Sequence, residues 1–338
     1  MSKEKDEDVV HQTMSEDADK AHAVIEQITP KNVLGQEAQA DGQGQTVVKS
    51  PNEIYNNISG GQDKVNIDVL MAEAGVTKED FQAVCDEHPE IIQNIGGGPT
   101  CQKLAGSADK VRNSYGADGK LKTGSCLSGV NNIYNNCKVD SLTNKDAYKY
   151  KVETLQPYQR GVPGGCCGYE VLEKSGDFIS LSVKNSAYGY NSSIRSNEEM
   201  NDLFKKVQPG VTVTVDDIRD SSVRGKLGNT AGGKYGHIAV KRNNSQFACD
   251  FVQNKISFSR YGEYAHACFP KDAQISQEYA EMVIAKAQER QAKENQQTNN
   301  NQQARDTSQP RDVQQTVNNN QQSAAMQYAM LSRGGNSL

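Results

Sequence analysis

Residues 236–253 have the sequence GHIAVKRNNSQFACDFVQ, and this stretch decides most of the fold prediction. Two runs in which apolar residues alternate with other side chains, 236–242 and 247–253, flank a polar NNSQ segment. This pattern predicts a β-hairpin with a short turn. Because successive side chains of a strand point to opposite faces, the hairpin makes His237 and Asp250 diagonal neighbours on one face of a sheet.

A second stretch, residues 126–137 with the sequence CLSGVNNIYNNC, has the period of an amphipathic helix that starts at Cys126. The residues that share the predicted inner face are Leu127, Val130, Ile133, Tyr134 and Cys137. The first turn of a helix has backbone N–H groups without helical partners, and it lies at the positive end of the helix dipole. Both features favour a thiolate over a thiol, so the sequence predicts an activated sulfur at Cys126.

Cys126 and His237 together suggest a thiol nucleophile and its base. The neutral imidazole of His237 would take the thiol proton, and the carboxylate of Asp250 would orient the ring. Gln253 takes that orienting role if the hairpin register shifts by one residue. Chemistry of this type needs neither a metal ion nor an organic cofactor, so we expect none.

An oxyanion site is also expected, because acyl transfer develops negative charge on the carbonyl oxygen. The backbone N–H of Cys126 is the predicted donor, and Asn113 and Tyr115 are weaker candidates for a second one. His266, the other histidine of this region, is predicted to pack in the interior.

Each of these residues has a simpler structural explanation. Cys126 is one of eight cysteines, so it can be a packed thiol or a disulfide partner. The adjacent Cys166 and Cys167 form a rival thiol pair between glycines, but no amphipathic helix follows them. His237 can be a hydrogen-bonded histidine at a sheet edge, and Asp250 can point to solvent.

The chain has 338 residues, of which 35% are hydrophobic and only 6% aromatic. Its apolar residues are concentrated between about residues 65 and 270, which predicts one principal domain with polar ends. The predicted order is a disordered polar leader (1–60), a small helical segment (61–97), a compact domain (98–272), a C-terminal helix (273–292) and a Gln/Asn-rich tail (293–338). The predicted fold class is α+β, with a helix packed on a small antiparallel sheet.

Charge and hydropathy exclude several function classes. The formal net charge is -5 and no basic patch stands out, which argues against a nucleic-acid-binding protein. No apolar run is long enough for a membrane span, and the charged N-terminus does not have the pattern of a signal peptide. We therefore expect synthesis in the cytoplasm, with export by a secretion system or release by lysis. The polar leader is a candidate docking element for a delivery partner.

The order of these elements resembles the papain-like superfamily of bacterial cysteine hydrolases. A cysteine at a helix start, a strand introduced by Pro209-Gly210, then GHIAV at 236–240 and a following strand that carries an acid are most similar to the CHAP and NlpC/P60 groups. The likeness covers about half of the chain. It implies a papain-like core within residues 98–272, with Cys126, His237 and Asp250 as the catalytic residues.

The resemblance further implies cleavage of amide bonds in the peptides of bacterial peptidoglycan. We therefore expect a cysteine amidase or endopeptidase that acts on the cell wall. Two alternatives stay open: a noncatalytic interaction or virion-type structural protein with the same fold, and an intracellular cysteine protease or deamidase that acts on a host protein.

Overall fold

The computed structural model describes residues 49–142, 165, 168–184, 197–215, 236–256, 258 and 264–307. Several sequence predictions lie outside the described residues. They concern the leader up to residue 48, the Cys166-Cys167 pair and the tail beyond residue 307.

Eight α-helices are found in the described part of the chain. They are α1 (Pro51–Ser59), α2 (Ile67–Ala74), α3 (Lys78–Glu87), α4 (Pro99–Ala108), α5 (Cys126–Asn136), α6 (Gly168–Ser175), α7 (Asn197–Lys205) and α8 (Gln277–Thr307). A 3-10 helix at Pro89–Gln93 follows α3. Helix α5 begins at Cys126, as predicted, and its inner face buries Val130, Ile133 and Tyr134.

Nine strands form two antiparallel sheets in the same described residues. They are β1 (Lys64–Asn66), β2 (Ile95–Gly96), β3 (Phe178–Lys184), β4 (Thr212–Val215), β5 (His237–Lys241), β6 (Phe247–Ala248), β7 (Val252–Gln253), β8 (Tyr264–Pro270) and β9 (Gln274–Ser276). The larger sheet has the order β3-β8-β4-β5-β6-β7, and the smaller one has the order β1-β9-β2. The α+β class predicted from the sequence is therefore confirmed.

Helices cover both faces of the larger sheet. On one face, the hydroxyl of Tyr134 in α5 is 2.7 Å from that of Thr212 in β4. On the opposite face, the ammonium group of Lys241 in β5 donates to the carbonyl of Lys205, the last residue of α7. The sheet is thus an inner layer with helices on either side.

Strand β4 is buried on both faces, because helices cover both sides of the sheet. Its alternation of valine and threonine predicts a strand with one wet face, but all four residues are buried. Thr212 and Thr214 point toward α5 and α6, where Thr212 finds the Tyr134 hydroxyl. The hydroxyl oxygen of Thr214 is buried without a hydrogen-bond partner in the described structure.

The hairpin at 236–253 is only partly as predicted. Strand β5 and the turn at 243–246 form, and the N–H of Arg242 donates to the carbonyl of Gln246 at 2.9 Å. The second run is not one strand, because β6 ends at Ala248 and the chain turns back into β7, which pairs with β6. Asp250 lies in this turn, so the pleat of a continuous strand does not place it beside His237.

The N-terminal part of the described chain contributes more structure than the sequence predicts. Residues 51–59 fall in the predicted disordered leader, yet they form α1, which begins with a capping box between Ser50 and Glu53. Ile54 and Tyr55 of this helix are fully buried. The predicted helical segment at 61–97 also contains β1 and β2. Both pair with β9, a strand that follows the last strand of the larger sheet in the sequence.

The C-terminal helix is longer than predicted. It runs over Gln277–Thr307, so residues 293–307 of the predicted tail are helical. Glutamine, glutamate, lysine, arginine and alanine, which have high helix propensity, make up eight of these fifteen residues, and four of the others are asparagines, which have lower propensity. Among the described residues, those up to Gln288 belong to one compact unit and those from Glu289 to a second. No described helix has the length and apolar character that a membrane crossing requires.

Candidate functional site

Cys126 is a free thiol at the first position of α5, and its side chain is partly buried. Its sulfur lies against strand β5, where the backbone N–H of Ile238 points at it and stabilises negative charge on it. The pairing of β5 explains this contact. Lys241 bonds β4 through its backbone, so by alternation the N–H of Ile238 points to the other edge of β5. Strand β6 pairs only with Val240 and Lys241, so the edge at Ile238 is left to the helix start.

The pKa of the Cys126 thiol lies above its ordinary value. Burial is the largest cause and raises the pKa, while the N–H of Ile238 and those of Leu127 and Cys126 itself lower it. The negative charge of Asp250 raises it further. The helix start acts in the predicted direction, but burial and Asp250 outweigh it. The activation that the helix start predicts for Cys126 is therefore opposed in this structure by burial and by Asp250.

His237 is the first residue of β5 and is 5% exposed. Burial lowers the pKa of its imidazole from 6.5 to about 4, and the charge of Asp250 acts in the opposite, raising direction. The ring is consequently neutral at pH 7. A neutral imidazole has a nitrogen that can accept a proton, which is the property that a general base needs.

Gln253 holds the imidazole ring. Its side-chain nitrogen lies 2.6 Å from Nε2 of His237. In this orientation the amide donates, Nε2 accepts and Nδ1 carries the ring proton. A half-turn of the amide presents its oxygen instead, so that Nε2 donates and Nδ1 becomes the free base. The contact with the ring is thus made by Gln253, the predicted alternative to Asp250.

Asp250 holds the start of helix α5. Its carboxylate accepts a hydrogen bond from the backbone N–H of Ser125 at 2.8 Å and one from the Cys249 thiol at 3.1 Å. Ser125 is the N-cap residue of α5, and its own side chain makes no capping bond. Asp250 therefore supplies the cap from outside the helix, and it acts on both Cys126 and His237 through its charge.

Two glycines allow the close approaches around the site. A Cβ atom at Gly129, one turn into α5, would lie 2.1 Å from the backbone nitrogen of Asp250. A Cβ atom at Gly165 would lie 2.6 Å from the carbonyl carbon of His237. Helix α5 thus lies close against the 249–250 turn, and Gly165 lies close against the start of β5. The position of Gly129, three residues after the cysteine, is the only sequence signal of this packing.

Protein-family models, curated proteins and solved structures give no match to this chain.

The remaining predicted residues have other roles in this region. The side-chain oxygen of Asn113 accepts from the N–H of Val252 at 2.8 Å, so this residue anchors β7. Tyr115 is 59% exposed. His266 is buried as predicted, where Nδ1 is 2.8 Å from the Ser182 hydroxyl and the ring stacks on Tyr169. Within the described residues, His, Cys, Asp and Glu side chains form no group of three that could hold a metal.

A pocket of about 300 Å³ lies beside the site, between α4, α5 and the 249–250 turn. Its lining runs along α5 from Ser125 to Asn136 and includes Asp250, but it contains neither Cys126 nor His237. Lys110 and Val111, which follow α4, form another part of its wall. The pocket therefore extends along α5 and reaches Ser125, the residue before Cys126.

Proposed function

We propose that this protein is a cysteine-dependent amide hydrolase, with Cys126 as the nucleophile and His237 as the general base. The observation that carries the proposal is the position of both residues at the start of β5: His237 is its first residue and is held by Gln253, and the sulfur of Cys126 meets the backbone N–H of Ile238, the next residue. The ring is neutral, and with the Gln253 oxygen facing Nε2–H its Nδ1 can accept a proton. Asp250 has a different part from the one predicted, because it caps α5 and sets the charge around both residues.

The pKa directions decide the type of proton transfer. Cys126 has a raised pKa and His237 has a lowered one, so the resting site contains a thiol and a neutral imidazole. The proton therefore moves from sulfur to the ring as the sulfur attacks, and no thiolate–imidazolium pair forms beforehand. This is general-base catalysis of a thiol attack.

The proposed reaction has two stages. In the first, Sγ of Cys126 bonds the carbonyl carbon of the substrate, its proton passes to His237, and the ring then returns that proton to the departing amine. In the second, the ring takes a proton from water as the oxygen attacks the thioester carbon, the C–S bond breaks to release the carboxylic acid, and the ring returns the proton to the sulfur of Cys126. The backbone N–H of Cys126 has no helical partner and can stabilise the oxyanion in both stages.

The proposed substrate is the peptide part of bacterial peptidoglycan, as the resemblance to CHAP and NlpC/P60 hydrolases implies. The support from the fold is the packing of a cysteine-led helix, α5, on an antiparallel sheet whose strand β5 begins with a histidine. A papain-like core is part of this proposal.

One observation favours a second candidate, a noncatalytic binding module with the same fold. Burial and the charge of Asp250 both raise the pKa of Cys126, which is the opposite of what an activated thiol needs. A domain that has kept the fold and lost the activity would also contain an unactivated sulfur. Activity measurements separate this candidate from the first.

The test compares purified wild-type protein with Cys126→Ala, His237→Ala and Cys137→Ala. Cys137 is a matched control, because it is a free and partly buried thiol directly after the C-terminal end of the same helix. Isolated peptidoglycan sacculi are incubated with each protein, and released peptides and new amino groups are identified by mass spectrometry. We expect products with wild type and Cys137→Ala, and none with the other two variants.

A bifunctional reagent tests the geometry directly. 1,3-Dibromoacetone alkylates a thiol and then a nearby imidazole, and we expect a Cys126–His237 cross-link in the wild-type digest. Absence of both the cross-link and the products supports the binding module. Cross-linking without release from sacculi, together with ammonia or peptide release from a protein substrate, supports an intracellular protease or deamidase.

A further inference from the structure

Strand β3 is an edge strand of the larger sheet. It stands first in the order β3-β8-β4-β5-β6-β7, so one of its edges faces away from the sheet. Its first six residues, 178–183, have the sequence FISLSV, which combines aromatic and β-branched strand formers with neither charge, proline nor glycine. Segments of this composition pair readily with other chains when their backbone is accessible. The edge of β3 is therefore a surface where strand addition has to be controlled.

The side chain of Gln82 in α3 occupies this edge at Ser182. Its oxygen accepts from the N–H of Ser182 at 2.8 Å, and its nitrogen donates to the carbonyl of the same residue at 2.9 Å. These are the two bonds that a residue of a neighbouring antiparallel strand exchanges with the residue opposite it. The carboxamide of Gln82 thus takes the place of the backbone of an added strand.

Other side chains bind outward backbone N–H groups at both ends of the sheet. Glu173 of α6 accepts from the N–H of Ser180 at 3.1 Å, and the Ser180 hydroxyl and the Lys78 ammonium group bond the same carboxylate oxygen. At the opposite end, Asn113 accepts from the N–H of Val252 in β7. Covering an edge protects a sheet from edge-to-edge contact with other chains.

We propose that the carboxamide of Gln82 is a seal, which keeps the β3 edge from pairing with the β3 edge of a second copy of this chain. A cavity of about 610 Å³ lies between α3 and residues 182–184, and Gln82 lines it. The side chain thus has space into which it can turn away from Ser182. The seal is independent of the proposed hydrolase, because two strands separate β3 from β5, the strand of His237.

The register that the seal defines suits a second copy of the same strand. If Ser182 exchanges both bonds with Ser182 of another copy, the antiparallel pair is symmetric about this residue. Lys184 then lies opposite Ser180 of the other copy, so the two lysines do not face each other. Leu181 lies opposite Val183 in the same register. A symmetric pair of β3 strands is therefore free of the like-charge contact that would oppose it.

Helix α3 lies along the edge and is tied at three points. Lys78 at its start pairs with α6, Gln82 bonds β3, and Glu87 at its end pairs with Lys286 of α8 at 2.9 Å. Both ion pairs are partly exposed, and pairs of this kind contribute little to stability. Loss of Gln82 also removes the partners of the Ser182 backbone groups, which then favour any strand that supplies new ones. Removal of this side chain should consequently open the edge.

The experiment compares the full-length wild-type protein with Gln82→Ala, Gln82→Glu and the double variant Gln82→Ala/Ser182→Pro. Proline at position 182 removes the N–H that an added strand needs, at a position where this group points away from the sheet. Gln102→Ala is the matched control, because Gln102 is a glutamine of α4 whose amide donates to the carbonyl of Gly97, outside the larger sheet. Sedimentation velocity over a range of protein concentrations measures association, and hydrogen exchange measures the opening of β3.

We expect the amides of β3 to exchange about tenfold faster in Gln82→Ala, because two hydrogen bonds are lost. This variant should form a dimer whose fraction rises with protein concentration, while Gln102→Ala sediments as wild type does. Gln82→Glu keeps an acceptor for the N–H of Ser182 and loses the donor to its carbonyl, so its association should lie between the two. The double variant should sediment as wild type does.

Three outcomes overturn the seal. If the β3 amides of Gln82→Ala exchange at the wild-type rate, Gln82 does not close the edge. If they exchange faster but the variant sediments as wild type at every concentration, an open edge does not pair with a second copy. If the double variant associates as strongly as Gln82→Ala, the contact between copies lies outside the β3 edge. Should circular dichroism show that Gln82→Ala is unfolded, the same measurements on Gln82→Glu decide in the same way.

Discussion

Gln253 and His237 are joined by a contact of 2.6 Å, although their strands, β7 and β5, are not neighbours in the sheet. The register explains how they meet. Gln253 pairs with Phe247, and Phe247 pairs with Lys241, so these three side chains share a face of the sheet. His237, four residues before Lys241 on the same strand, lies on that face as well. The amide therefore reaches the ring past the end of β6, which is only two residues long.

Two substitutions of Gln253 should show how much of the activity depends on the orientation of the His237 ring and how much on its charge. In Gln253→Ala the ring loses its contact, and we expect kcat/KM to fall by about tenfold to a hundredfold, as for other groups that orient a catalytic residue. In Gln253→Glu a carboxylate accepts from Nε2–H and stabilises the imidazolium, so the pKa of His237 should rise from about 4. The pH profile of kcat/KM measures both effects.

The matched comparison for these variants is Gln246→Ala, in which another glutamine of the same hairpin is removed. Gln246 contacts Asn254 and not the histidine. A fall in activity of equal size in Gln246→Ala would show that the loss in Gln253→Ala comes from the hairpin as a whole. If the acidic limb of the kcat/KM profile lies at the same pH in Gln253→Glu as in wild type, residue 253 does not set the pKa of the His237 ring.

The reactivity of Cys126 toward iodoacetamide should follow a single thiol titration. The pKa of Cys126 is raised by burial and by Asp250. The alkylation rate should therefore increase with pH along a titration curve whose midpoint lies above the ordinary thiol pKa of about 8.5. A thiolate–imidazolium pair would instead give a plateau of high reactivity that begins near the lowered pKa of the thiol. Such a plateau between pH 5 and 8, at roughly the pKa range of paired cysteines, would contradict the concerted mechanism.

Asp250→Asn should make Cys126 more acidic. The substitution removes a negative charge that raises the pKa of the thiol, and it keeps an oxygen that can accept from the N–H of Ser125. We expect faster alkylation of Cys126 at pH 7 and little change in stability. Asp250→Ala removes the acceptor too, so it should cost about 1 kcal/mol of unfolding free energy, as the loss of a helix cap does. Thermal unfolding and alkylation rates of the two variants give the comparison.

The sequence predicts the elements of the site well and their environment poorly. Helix α5 and strand β5 follow from periods of 3.6 and two residues, which depend only on local pattern. The turn at 249–251 has no glycine or proline to announce it, and it is held by contacts from Ser125 and Gly129 that are distant in sequence. The pKa of Cys126 depends on burial, which no local pattern measures. For the same reason the threonines of β4 could not be recognised as buried.

Acid should weaken the fold through His237. The folded protein holds this ring with a pKa of about 4, while the unfolded chain has the ordinary value of 6.5. The contribution of His237 to the free energy of unfolding is therefore fully present above pH 6.5. It is lost as pH falls toward 4, because the unfolded state binds a proton that the folded state does not. The shift corresponds to about 3 kcal/mol. Urea unfolding of wild type and His237→Asn between pH 7 and 4 measures it, and equal slopes in the two proteins would exclude His237 as the cause.

Replacement of Gly129 by alanine should displace helix α5 from its contact with the 249–250 turn. A Cβ atom there would lie 2.1 Å from Asp250 N and 2.3 Å from Cys249 C, and both are backbone atoms that cannot move aside alone. We expect Gly129→Ala to cost about 1–3 kcal/mol of unfolding free energy, as overpacking does. The alkylation rate of Cys126 should change as well, because the helix start must shift away from Asp250.

Gly106→Ala is the control for this substitution, since Gly106 also lies inside a helix, α4, and a Cβ atom there meets nothing within 4 Å. Alanine has the higher helix propensity, so Gly106→Ala should stabilise the protein by about 0.5–1 kcal/mol. Opposite signs in the two variants isolate the contact at Gly129 from the general preference of helices for alanine. A stabilising effect of Gly129→Ala would mean that α5 does not pack on the turn. It would contradict the close packing of the start of α5, which carries Cys126, against Asp250.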